Sequence, residues 1–95
     1  MSELQNLRGV KVMSLSIKVV DVFPLNDLIL LVTFENGVKK KYNVRQLFNQ
    51  FENYKKLEDV NFFNTVKVDC GGYAIFWDDE LDISEVELWD NGIEI

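Results

Sequence analysis

The chain has 95 residues, a formal net charge of −6, one cysteine and no histidine. That length suits one domain, burying roughly 60–65% of its unfolded surface, and an apolar content of 47% argues against disorder. The missing histidine excludes Ser-His-Asp and Cys-His catalysis, His-based zinc or iron sites and histidine pH switching, while a lone Cys70 excludes an internal disulfide and suits a reducing cytoplasm.

Residues 1–16 read as an N-terminal arm or added strand ahead of a single α+β domain over 17–95, and Met13 offers an alternative start. No signal-peptide pattern opens the chain, and no apolar run approaches the ~20 residues that span a bilayer. MSLSIKVVDVF predicts a first strand with Met13, Leu15, Ile17, Val19 and Phe23 on one face. Pro24, Asn26 and Asp27 then supply a turn.

Leu28–Val44 predicts a hairpin turning at Asn36-Gly37, because a two-residue type I′ loop needs positive φ at both positions. That register sets Leu31 opposite Tyr42 and Phe34 opposite Lys39. Leu28, Leu30, Val32 and Phe34 then share a face with Lys39, Lys41 and Asn43; Ile29, Leu31, Val38, Tyr42 and Val44 share the other. The first strand is apolar on both faces, as a central strand covered on two sides would be. The second carries lysines, as an edge or half-solvated strand does.

Asn43 caps a short helix with Gln46, and Val44, Leu47, Phe48 and Phe51 form its apolar face. Glu52–Lys56 reads as a loop. Leu57, Phe62 and Phe63 anchor a helical turn capped by Asp59. Thr65–Asp69 and Tyr73–Trp77 pair around Cys70-Gly71-Gly72. Ser84 and Glu87 match a capping box that starts the final helix, Ile83 and Leu88 are staple partners, and Asn91-Gly92 ends it.

The order of these pieces resembles a family of small bacterial proteins, domain of unknown function 2442. The resemblance rests on Asp27-Leu28, Leu30, Phe34 and Gly37, then Leu47, then Leu57, Asp59 and Phe63, then Val66, Val68 and Asp69, and finally Trp77, Asp82, Ile83 and Leu88. It covers about Ile17 to Gly92; Asn43 departs from the Asp that members often carry, though both cap a helix. The resemblance implies a small α+β domain, with a curved antiparallel sheet built on the central hairpin and two or three short helices against it. It brings no established activity. Some relatives add a DNA-binding helix-turn-helix, for which this chain has no room. Others look like members of two-gene cassettes resembling toxin–antitoxin pairs, which implies a partner-binding role.

Charge is unevenly spread: residues 1–68 hold all ten Lys/Arg and seven Asp/Glu, whereas 69–95 hold nine Asp/Glu and no base. This acidic third makes nucleic acid a poor partner and a protein with a basic surface a better one. Asp78, Asp79, Glu80, Asp82 and Glu85 have the chemistry of a hard-cation site, but lack calcium-loop spacing and also suit a solvated loop and helix cap. A glycosidase-like pair at Asp78 and Asp82 would need a cleft that this small domain hardly offers. Cys70 has no histidine base. The run Lys39–Lys41 with Arg45 offers a phosphate-binding patch, against a solvated strand flank. Trp77 and Trp89, aromatics among acids, fit either an interface hot spot or the core.

These readings converge on a non-enzymatic module with no cofactor and no metal, binding a protein partner through Trp77, Asp78, Asp79, Glu80, Asp82, Glu85 and Trp89. The alternative is a small-ligand or divalent-metal module centred on the acidic loop 78–85. A spare edge strand and the N-terminal arm also admit a homodimer; no membrane partner is expected.

Overall fold

The computed structural model describes residues 17–95; the expectations for residues 1–16 lie outside them. Strands β1 (Val19–Pro24), β2 (Ile29–Phe34) and β3 (Lys39–Asn43) form an antiparallel meander. After two 3-10 segments, Val44–Leu47 and Glu52–Glu58, comes helix α1 (Val60–Phe63). Then follow β4 (Lys67–Val68), β5 (Ala74–Asp78), β6 (Leu81–Ser84), helix α2 (Glu85–Asn91) and β7 (Ile93–Glu94). The class is α+β. Its antiparallel strands lie in two sheets, ordered β1-β2-β3-β7 and β4-β5-β6.

The hairpin forms where Asn36-Gly37 predicts, but in a different register. Leu30 opposes Tyr42, Leu31 opposes Lys41 and Val32 opposes Lys40. The loop holds three residues, Glu35–Gly37, closed by Gly37 N–H to the Phe34 carbonyl at 2.9 Å and Phe34 N–H to the Val38 carbonyl at 2.9 Å. Gly37 takes φ +89° while Asn36 stays at negative φ, so the turn needs one left-handed residue, not two. One residue of slip moves every β3 side chain to the other face. Lys40, Tyr42 and Val44 therefore join Leu30, Val32 and Phe34 inside. Ile29, Leu31 and Thr33 are only half-buried, so β2 is covered on one side, not two. Nor is β3 an edge, since β7 pairs with it.

β1 carries a bulge: Val19 opposes Phe34, but Asp21 already opposes Thr33. The extra residue, Val20, reverses the alternation. Val19 is buried and Phe23 is exposed, although strict alternation places them on one face.

The core gathers the inner faces of both sheets with Leu47, Leu57, Phe63 and Leu88 from the helical segments. Each fully buried Leu or Phe contributes about 1.5–3 kcal/mol. Asp59 caps α1, its carboxylate accepting from Asn61 N–H at 3.0 Å and Phe62 N–H at 3.4 Å. Asn43 accepts from Arg45 N–H at 3.0 Å, and Ser84 Oγ from Glu87 N–H at 3.2 Å, as their capping patterns require. The expected loop over Glu52–Lys56 is part of a 3-10 segment that delivers Leu57 to the core. Phe51 falls outside the preceding turn and stays exposed.

The two sheets meet at Gly72. Val19 N–H donates to the Gly72 carbonyl at 2.8 Å. Gly72 has φ +77°, and a Cβ there would lie 2.8 Å from the Val19 carbonyl oxygen. Gly37 also has positive φ, but open space around it. Gly37→Ala should therefore cost about 1–2 kcal/mol from backbone conformation alone, whereas Gly72→Ala should cost about 3 kcal/mol because the inter-sheet contact must also open. Urea denaturation of the two variants measures the difference; equal losses would show that the Gly72 junction bears no special constraint.

Candidate functional site

The acidic segment is not one loop. Leu81, Asp82, Ile83 and Ser84 alternate in and out as strand β6, leaving only Asp79-Glu80 at the tip of a β5–β6 hairpin. Asp78 Oδ1 accepts from the N–H groups of Glu80 and Leu81, each at 2.9 Å, and its Oδ2 lies 3.6 Å from Lys56 Nζ. The Glu80 N–H first, then that of Leu81 and the Lys56 ammonium, hold this carboxyl below the usual Asp range. Glu85 is buried in the first turn of α2, with Oε1 accepting from Val86 N–H at 3.3 Å. The five clustered acids thus divide: Asp78 organises a turn, Glu85 lies inside, and Asp79, Glu80 and Asp82 face solvent. Among the described residues no three of His, Cys, Asp or Glu gather to hold a metal.

The two tryptophans also divide. Trp77 is 7% exposed, its ring stacks on Phe63 with centroids 6.3 Å apart, and its Nε1–H donates to the Phe63 carbonyl at 2.9 Å. It is a core residue whose one polar atom is satisfied internally, so the surface set expected from sequence continues without it. Trp89 is half-buried at the margin of the acidic region. Its ring meets Phe34 edge-on at 4.9 Å and sits under Lys40 Nζ, 3.9 Å from the ring centroid. Exposed Val86 and Asp90 share its helix.

Three residues outside the expected set build this margin. Lys40 Nζ donates to the Trp89 carbonyl at 2.5 Å, near the C-terminus of α2 where a cation is favourable. Tyr42 OH donates to Glu87 Oε2 at 2.7 Å, and Tyr54 OH to the Asp82 carbonyl at 2.6 Å. Burial, then the Glu87 carboxylate, raises Tyr42 far above an ordinary phenol; burial, then Asp82 and Glu87, also raises Tyr54. The signal for Lys40 and Tyr42 was the alternation Lys40-Tyr42-Val44, legible only once the turn length is known.

The basic run does not act as one patch. Lys40 points inward, Lys39 and Lys41 outward, and Arg45 Nη1 donates to the Asp27 carbonyl at 2.5 Å. That bond borders a concavity of about 510 Å³ beneath the Pro24–Leu28 turn, where Asp27 and Leu28 hold φ of +64° and +61°. Arg45, Asp27 and Glu58 line it with both signs of charge, so it attracts no single class of ion. Cys70 is exposed in the β4–β5 turn, which Asp69 Oδ1 closes by accepting from Gly71 and Tyr73 N–H at 3.0 Å each. No helix among the described residues is long and apolar enough to cross a membrane.

A family model described as "Protein of unknown function (DUF2442)" matches residues 19–94. No curated protein and no solved structure matches the chain.

Tyr42→Phe should cost about 2 kcal/mol, the worth of a hydrogen bond to a carboxylate. Because the folded-state pKa of Tyr42 is raised, its contribution is complete below the ordinary phenol value and is lost as pH rises beyond ~10. The variant's stability should therefore fall less steeply over that range, measured by urea denaturation between neutral and alkaline pH. Asp78 has the opposite sign: its lowered pKa stabilises above the ordinary Asp value and is lost as pH falls below ~3.9. Asp78→Asn should flatten the acid limb of the same profile; an unchanged limb would remove the turn from the account.

Proposed function

The chain belongs to the DUF2442 family of proteins of unknown function, and from that premise we propose that it acts as a non-enzymatic protein-interaction module in the cytoplasm. The observation that supports this is the exposed acidic margin: Asp79 and Glu80 at the β5–β6 tip, Asp82 on β6 and Asp90 on α2 face solvent, and α2 also carries exposed Val86 and half-buried Trp89. No basic residue lies in 69–95, and Lys56, which approaches this hairpin, pairs with Asp78. Such a margin attracts and orients a protein with a basic surface, while the apolar side chains beside it offer contact area. Some relatives look like members of two-gene cassettes, and by analogy the reading extends to the partner-binding half of a toxin–antitoxin-like pair. The alternative, a small-ligand or divalent-metal module on residues 78–85, has less behind it, since Asp78 is engaged in its turn and Glu85 is buried.

Affinity capture from the native host with the tagged full-length chain should yield one stoichiometric protein partner. The double reversal Asp79→Lys/Glu80→Lys should weaken that complex at least ten-fold, and more at low salt than at high, with Tm unchanged. An empty capture, or a complex indifferent to the reversal, would count against the reading.

A further inference from the structure

The outer face of the four-stranded sheet has a composition opposite to that of the acidic margin. Register sets Phe23, Leu31, Lys41 and Ile93 side by side in one row across all four strands. Thr33 and Lys39 form the next row, and Ile95 N–H donates to the Lys39 carbonyl at 3.2 Å. Phe23 is 60%, Ile93 74% and Ile95 65% exposed, and Leu31 and Ile29 are only half-buried. All helical core anchors pack on the other face, so among the described residues this face has no cover. Between Ile29, Ile93 and Ile95 it holds a notch of about 250 Å³, rimmed by Lys41 and Asn43. That space accepts one or two large apolar side chains.

We propose that this face is a docking site for an amphipathic helix of a partner protein, one with an apolar stripe and an acidic flank. It goes beyond the acidic-margin reading, being a separate surface of opposite sign. Contiguous exposed apolar side chains on a sheet mark an interaction site, and the usual cover of a sheet face is a helix. Size agrees: four strands span three gaps of ~4.8 Å, about 14 Å, the length of nine or ten helical residues. Charge selects the flank. Lys39 and Lys41 are exposed on this face, and among the described strand residues whose register places them on it Asp21, at its β1 side, is the acid, in a chain of net charge −6. An acidic flank meets the two ammonium groups, whereas a second copy docked face to face would set lysine against lysine.

The test uses the full-length chain with Ile93→Cys, in a Cys70→Ser background, carrying a polarity-sensitive dye. It is titrated with two model 16-residue helical peptides that share a leucine stripe and differ only in Glu or Lys flanks. The Glu peptide should bind at micromolar concentration, at least ten-fold tighter than the Lys peptide, and shift the dye to the blue. Phe23→Ser and Lys39→Glu/Lys41→Glu should each weaken it at least ten-fold, read by anisotropy of labelled peptide on unlabelled protein. Asp79→Lys/Glu80→Lys should not weaken it, which separates this site from the acidic margin. Equal binding of both peptides, or none, overturns the proposal. So does a dye already shielded before any addition: concentration-dependent shielding assigns the face to a second copy, and concentration-independent shielding to the chain's own residues 1–16. A blue shift with anionic vesicles but not with the Glu peptide assigns it to a lipid surface and overturns it as well.

Discussion

Which way Lys40 points decides the rest of the molecule. The three-residue turn at Glu35–Gly37 puts Lys40 and Tyr42 on the inner face, among Leu30, Val32 and Phe34. A lysine in that position needs a partner at once, because an unpaired buried ammonium is costly. It finds one in the Trp89 carbonyl and the face of the Trp89 ring. Tyr42, two residues on, reaches Glu87. Helix α2 has seven residues, too few to be stable alone. Its position follows from these two polar contacts and from Leu88, which is fully buried.

Fixing α2 in turn fixes what lies on either side of it. Before it, β6 pairs with β5 and brings Asp79 and Glu80 to the tip of a hairpin that Asp78 closes. After it, the chain returns to β3 as β7, completing the larger sheet and bringing Ile93 and Ile95 onto its outer face. The acidic margin and the apolar-basic sheet face are thus two products of one arrangement around Lys40 and Tyr42. Opposite charge on the two surfaces is what the proposed acidic-margin and sheet-face contacts both rest on.

Much of this was fixed locally and so was legible in sequence. Asn43, Asp59 and Ser84 cap helical turns because a short side-chain oxygen can reach N–H groups two or three residues on, whatever the rest of the chain does. Gly37 marks its turn because a left-handed residue is needed there in either hairpin register. Alternation and capping along 17–92 mark individual strands and helical turns, the family resemblance implies their α+β assembly, and the absence of histidine limits the chemistry directly. What the sequence left open was decided at longer range. Asn36-Gly37 fits a two- or a three-residue loop, and burying Leu30, Val32 and Phe34 together with Tyr42 and Val44 selects the latter, turning Lys40 inward. Val20 has no local signature of a bulge, yet it alone sends Phe23 to solvent. Leu81–Ser84 reads as an acidic loop until pairing with β5 shows its alternation, and Trp77 fits either an interface or the core until Phe63 supplies both a ring and a carbonyl to receive it. Local hydrogen bonds are written in neighbouring residues; register, bulges and burial depend on which distant strand arrives to pair, and only the folded chain supplies that strand.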